Sequence, residues 1–209
     1  MDKKRKAAAI AKILNRCFPD PEIPLKHSDP FTLLIATLLS AQATDAAVNK
    51  VTPRLFQRAP TPFKMAELEE AEVRELIRTI GLFNTKAKAI VKLSRMLVDG
   101  WGGEVPSTFE ELESLPGVGH KTASVVMCQA FHKPAFPVDT HIHRLAKRWG
   151  LSRGKDVKET EVDLKAVFPK SKWAKLHLQM IYFGRTFCKA RNHLAEECPI
   201  CTFLKSDSN

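Results

Sequence analysis

Lys121 stands two places after the second glycine of LPGVGHKT, residues 115–122. A glycine lets the backbone turn with positive φ and approach a ligand closely. A helix that begins near Gly119 opens with N–H groups that lack intrahelical partners and lie at the positive end of the helix dipole. Gly117, Val118, Gly119 and His120 therefore offer a phosphate site, which would fix register on a nucleic acid without reading its sequence. The bland alternative is an ordinary corner between two helices. The lysine sharpens the choice, because the first turn of a helix disfavours an ammonium and predicts a lowered pKa. A neutral lysine amine is a nucleophile that forms Schiff bases with carbonyl carbons. Otherwise Lys121 is one more phosphate contact.

Eighteen residues further on, VDTHIHR places Asp139 at another predicted helix start. A carboxylate is stabilised there and can cap the helix. Facing a lysine, it could also stabilise positive charge developing on a sugar ring or assist proton transfer. Near the end of the chain, CKARNHLAEECPIC sets Cys188, His193, Cys198 and Cys201 in the spacing C-x4-H-x4-C-x2-C. Three thiolates and an imidazole make a closed tetrahedral zinc set. They could also carry an iron–sulfur cluster with one histidine ligand, or no metal at all. Cys17 and Cys128 lie in apolar surroundings and read as packed, inert thiols.

The elements that must position these groups are helical. The chain has 209 residues, 27% of them charged and 44% hydrophobic, enough for one domain or two small ones. Its net charge of +10 attracts polyanions, nucleic acid foremost. No stretch is apolar for long enough to span a bilayer, and Lys12 interrupts the basic N-terminal segment, which reads as an amphipathic helix rather than a signal peptide. Asp29-Pro30 opens a helix, FTLLIATLLSAQ, that is apolar nearly all round and so belongs at the centre of a core. Thr61-Pro62 opens another, and EEAEVRELIRTI runs on to Gly81. Asn84 is the expected cap of TKAKAIVKLSRMLVDG, and Ser107 with Glu110 the expected capping box ahead of LPGVG. Asp139 or Thr140 caps HIHRLAKRW, and two more helices are expected near 156–167 and 171–186. The class is all-α with about ten short helices. Proline-bearing breaks near 19–24 and 134–137 suggest a middle lobe.

With LPGVGHKT and VDTHIHR in place, LLSAQATD at 38–45, IGLFNTKA at 80–87, GEVP at 103–106 and YFGRTFC at 182–188 complete a pattern. It resembles the endonuclease III branch of the helix–hairpin–helix DNA glycosylases over almost the whole chain. The resemblance implies a six-helix barrel over 26–134, with the hairpin, and a second helical lobe built from 1–25 and 135–209. DNA would lie across the cleft with a damaged base flipped out of the stack. Lys121 would attack the sugar C1′, expel the base and form a Schiff base, and β-elimination would nick the strand. Asp139 would assist the attack. Gln42 matches the residue that fills the gap left by the flipped nucleotide, and Leu82 the residue that wedges toward the orphaned base. Monofunctional relatives lack the lysine, so the implied activity is a bifunctional glycosylase and abasic-site lyase for oxidised pyrimidines. The readings in competition are a non-catalytic hairpin that clamps DNA and a glycosylase for deaminated or mismatched bases.

The resemblance further implies a [4Fe–4S] cluster held by four cysteines in the spacing C-x6-C-x2-C-x5-C. This chain departs from it, with three cysteines spaced x9 and x2 and His193 between them. A Cys3His zinc site is the alternative, and either metal would be structural, since catalysis by lysine needs no cofactor. Arg185, Lys189 and Arg191 would contact phosphates from that loop. His141 and His143 flank the Asp139 turn and are expected to be mainly structural. The partner is damaged double-stranded DNA, with no membrane involved. The protein is expected to be a monomer in the cytoplasm, nucleoid-associated if bacterial.

Overall fold

The computed structural model describes residues 2–207. Among them are twelve α-helices, one short 3-10 helix and no strand, so the fold is all-helical. The chain forms two compact units, one of residues up to Glu22 together with those from Pro134 onward, the other spanning Ile23–Lys133.

The Ile23–Lys133 unit holds α2 (Pro30–Leu39), α3 (Asp45–Arg58), α4 (Pro62–Ala66), α5 (Glu70–Leu76), α6 (Phe83–Trp101), α7 (Phe109–Ser114) and α8 (His120–Gln129). Its axis is α2. Asp29 accepts a hydrogen bond from the Thr32 N–H while the Thr32 hydroxyl reciprocates, and Pro30 occupies the first helical position. Every residue from Phe31 to Leu39 is buried, as an all-apolar helix demands. Truncating one of them, Leu34→Ala for example, should cost about 2–5 kcal/mol. Gly117 makes the turn before α8 at φ +78°. A Cβ there would sit 3.0 Å from the Leu38 side chain and 3.1 Å from that of Ala89, so the turn nests against α2 and α6 only because the position is glycine.

The other unit is built from α1 (Lys3–Cys17), α9 (Thr140–Arg148), α10 (Val157–Val167), α11 (Trp173–Thr186), entered through a 3-10 turn at Lys170–Lys172, and α12 (Pro199–Ser206). Ile10 and Leu14 of α1, Ile142 and Leu145 of α9, Leu164 of α10, Met180 and Phe183 of α11 and Ile200 of α12 meet in one buried cluster around Trp149. Gly184 lies inside α11 with Leu145 and Arg144 only 3.2 and 3.3 Å from where its Cβ would be, which lets α9 pack close.

Several boundaries differ from those expected. The first central helix ends at Leu39 and not at Gln42, and α5 ends at Leu76, short of Gly81. Asn84 does not cap α6. Leu82 does, in the left-handed conformation at φ 60°, with no side-chain hydrogen bond, which moves the start one residue upstream of Asn84. In place of a capping box at Ser107 and Glu110, Thr108 caps α7: its hydroxyl accepts from the Glu111 N–H and donates to the Glu111 carboxylate. The Ser107 hydroxyl and carbonyl accept instead from Lys133 Nζ. Among the described residues no helix is long and apolar enough to cross a membrane.

Candidate functional site

The hairpin is made by α7, a turn and α8. The Val118 N–H donates to the Leu115 carbonyl at 3.1 Å, and the Val118 side chain is buried, so only its backbone faces outward. Gly119 is the N-cap of α8 in ordinary extended geometry and provides no side-chain bond to the first turn. The opening N–H groups of α8 therefore have no side-chain cap, and a Cβ at Gly119 would meet nothing within 4 Å. His120 is held back against α7. Its Nδ1 lies 2.7 Å from Glu113 Oε1, and its ring stacks on Phe109 with centroids 5.2 Å apart. Lys121, half-buried, is the second residue of α8, and everything from Thr122 to Cys128 behind it is buried. Burial pushes the Cys128 thiol up to about 12, so it is a packed, unreactive group as expected.

Asp139, half-buried, is the N-cap of α9, and its Oδ1 accepts from the Ile142 N–H at 2.8 Å. His143 Nδ1 lies 2.8 Å from the Thr160 hydroxyl, tying α9 to α10, and His141 Nδ1 lies 3.4 Å from Arg144 Nη2. Both histidines thus have structural partners.

Gln42 and Leu82 share an unusual feature. Among the described residues only four other than glycine have positive φ, and these two are among them, at 55° and 60°. Both are exposed, Leu82 by 57%. A left-handed backbone at a bulky side chain costs on the order of 1–3 kcal/mol and points to a constraint imposed by function. Between their two turns lies a residue that sequence reasoning passed over, Lys86. It is only 6% exposed, its Nζ donates to the carbonyls of Leu39 at 2.9 Å and Ala41 at 2.6 Å, and burial lowers its pKa. The signal was available: Lys86 shares the buried stripe of α6 with Ile90, Leu93 and Leu97.

The four expected metal ligands come together. One ligand atom from each of Cys188, His193, Cys198 and Cys201 lies within 4.8 Å of the others, and Cys188 Sγ is 3.9 Å from both His193 Nε2 and Cys201 Sγ. All three cysteines are buried. Cys188 is drawn down to about 5 by a hydrogen bond from Cys198 and by Arg148, whose Nη1 lies 3.2 Å from its sulfur, against the opposing effect of burial. Arg144 and Arg148 also donate to the carbonyls of Cys188 and Lys189, both at 3.0 Å, so two arginines of α9 brace the start of the loop. The donor set can hold a metal. Lys189 and Arg191 are exposed on this loop and Arg185 at the end of α11.

Residues 35–170 match the family model of the HhH-GPD superfamily base excision DNA repair proteins. The chain is 47% identical over 189 residues to the endonuclease III of Bacillus subtilis (strain 168), covering 90% of this chain and 86% of that one. It is 45% identical over 197 residues to the endonuclease III of Escherichia coli (strain K12), covering 94% and 93%. Its fold superposes with a TM-score of 0.92 on a trapped endonuclease III–DNA covalent intermediate, an estranged-adenine complex, at 44% identity over the full length of both chains. The class is that of the helix–hairpin–helix base excision repair proteins. Within it, the chain belongs to the endonuclease III family, whose members are DNA glycosylases and abasic-site lyases, and it is a bifunctional enzyme of that kind.

Proposed function

We propose that the enzyme acts as a monomer on damaged duplex DNA in the cytoplasm, where it releases oxidised pyrimidines and then nicks the abasic strand, with Lys121 as nucleophile and Asp139 as its carboxylate partner. The observation that carries this reading is the start of α8, where the N-cap Gly119 has no side chain to offer and a lysine stands in the first turn. The backbone at the start of α8 suits a strand phosphate, which would set the sugar against the amine. The uncharged Lys121 amine forms a bond to C1′, and the C1′–N bond to the base breaks with its electron pair leaving on the base, which takes up a proton. The amine loses a proton, the sugar ring opens at C1′–O4′, and a Schiff base results. Loss of a proton from C2′ then expels the 3′ phosphate by β-elimination. Asp139, at the start of α9, takes protons and stabilises positive charge on the sugar. Gln42 fills the space of the extruded nucleotide and Leu82 wedges at the opposite strand. Arg185, Lys189 and Arg191 contact phosphates, so affinity falls with added salt.

Reduction of the Schiff base with borohydride tests the reading. Wild type with an abasic duplex yields a covalent complex and Lys121→Ala yields none. A panel of duplexes, each with one oxidised, deaminated or mismatched base, gives fastest release of the oxidised pyrimidines. Equal binding of damaged and intact duplex without turnover would favour a silent clamp and overturn it.

The metal is a single zinc ion with a structural role. Bonds of about 2.0–2.3 Å around one tetrahedral ion give ligand–ligand edges near 3.3–3.8 Å; two of the edges here are 3.9 Å and none exceeds 4.8 Å. A four-iron cluster ordinarily takes four thiolates and spaces them around a cube, whereas this set has three thiols and an imidazole packed within 4.8 Å. Metal analysis should give one zinc per chain and a colourless protein. Four irons with visible absorption would contradict it.

A further inference from the structure

We infer that Lys86 is a positioning residue that locks the two base-probing turns, at Gln42 and at Leu82, into one rigid element, so that both side chains enter the duplex together. The inference rests on the reading of Gln42 and Leu82 given above. One residue reaches both turns. Its backbone N–H donates to the Leu82 carbonyl at 3.0 Å, the first bond of α6. Its ammonium donates to the Ala41 carbonyl at 2.6 Å, and that carbonyl belongs to the peptide bond leading into Gln42. A second bond, to the Leu39 carbonyl, anchors the same ammonium to the end of α2. The turns also lie close, since a Cβ at Gly81 would lie 3.6 Å from the Gln42 carbonyl oxygen.

Burying an ammonium is costly unless it is fully engaged, and burial indeed works against the charge here. A methionine would fill the same slot without that cost. What the lysine adds is a charged donor for the Leu39 carbonyl at the end of α2 and for the Ala41 carbonyl in the turn beyond it. Those bonds hold Gln42 in its left-handed conformation at the distance from Leu82 that α6 dictates. Leu82 is held by the start of α6, but Gln42 lies between α2 and α3 with no helix of its own, so without the tie its turn would sample several conformations and the insertion would pay for ordering it.

The experiment uses a duplex with a tetrahydrofuran abasic analogue, which the enzyme binds and does not cleave. 2-Aminopurine stands opposite it, and fluorescence at saturating protein reports unstacking. Wild type raises the fluorescence, and the Gln42→Ala/Leu82→Ala double variant loses most of the rise. Lys86→Met should cut the rise by about threefold or more in the wild-type background and change nothing further in the double variant, because residues acting as one unit are non-additive. Equal losses in both backgrounds, or no loss in the wild-type background, would overturn the inference, since a purely structural lysine produces one or the other. Should the double variant itself keep the full rise, the reading of the two probes fails and the inference falls with it, a result distinct from a failure at Lys86 alone. Circular dichroism establishes the fold of each variant. Where Lys86→Met does not fold, Lys86→Arg, which keeps donors for both carbonyls, should retain most of the rise and Lys86→Gln should not. Equal signals from those two would count against the tie.

Discussion

The starts of α8 and α9 make an informative pair. Both follow an extended segment, and both carry a residue expected to do chemistry. At α9 the Asp139 carboxylate closes the helix on itself by accepting from Ile142. At α8 the cap is Gly119, which has no side chain to offer. Six other helices are capped by a side chain, with Asp2, Asp29, Thr44, Thr61, Thr108 and Asp156 each accepting from a first-turn N–H, while α5, α6, α11 and α12 lack one as α8 does. A helix without such a cap forgoes a few tenths to about 1 kcal/mol. On the proposed reading, the missing side-chain cap leaves the start of α8 to an outside acceptor, whereas at α9 the capping carboxylate would serve a second time in the chemistry.

Three substitutions and one extraction break or sharpen that contrast. The largest effect is expected from Lys121→Ala, which should lower strand nicking at an abasic site by at least about a thousandfold with the fold unchanged, read by gel assay and circular dichroism. Next is Asp139→Asn. Asparagine caps nearly as well as aspartate, so stability should change by no more than about 1 kcal/mol while turnover drops about 100- to 10,000-fold. A plain cap would show small changes in both. Removal of the metal with a chelator should lower the urea stability by on the order of 3 kcal/mol, through the Cys188–Cys201 loop and α12. The smallest and most diagnostic change is Gly119→Asp. Its Cβ has open space and its φ of −96° suits any residue, so the new side chain should cap α8 and stabilise the protein by a few tenths of a kcal/mol, while weakening DNA binding about tenfold by occupying and repelling from the phosphate site. A rise in both stability and affinity would contradict the assigned use of that helix mouth.

Much of this was legible in the sequence where the local rule and the fold agree. Asp29-Pro30 announces α2, LPGVG announces the hairpin, and the spacing of Cys188, His193, Cys198 and Cys201 announces a cluster that the loop then closes. The misses have physical causes. Asn84 is a better cap than Leu82 by propensity, and only packing of the 77–82 turn puts Leu82 at the helix start in a conformation leucine ordinarily avoids. Ser107 and Thr108 are adjacent hydroxyls, so the cap could be read one residue off register. Two helices escaped notice: α3 carries Pro53 inside it, and α12 is a short turn of chain held against Cys188 and Trp149 in the core cluster. Lys86 lies on the apolar stripe of α6, which marks it for burial, but the carbonyls of Leu39 and Ala41 that receive its ammonium are far away in sequence and no local pattern records them.

The most direct measurement is peptide mapping of the borohydride-reduced adduct between wild-type protein and an abasic duplex. The account predicts a single modified peptide, with the deoxyribose remnant on the side chain of Lys121. An adduct on any other lysine or on the N-terminal amine, with Lys121 unmodified, would contradict it.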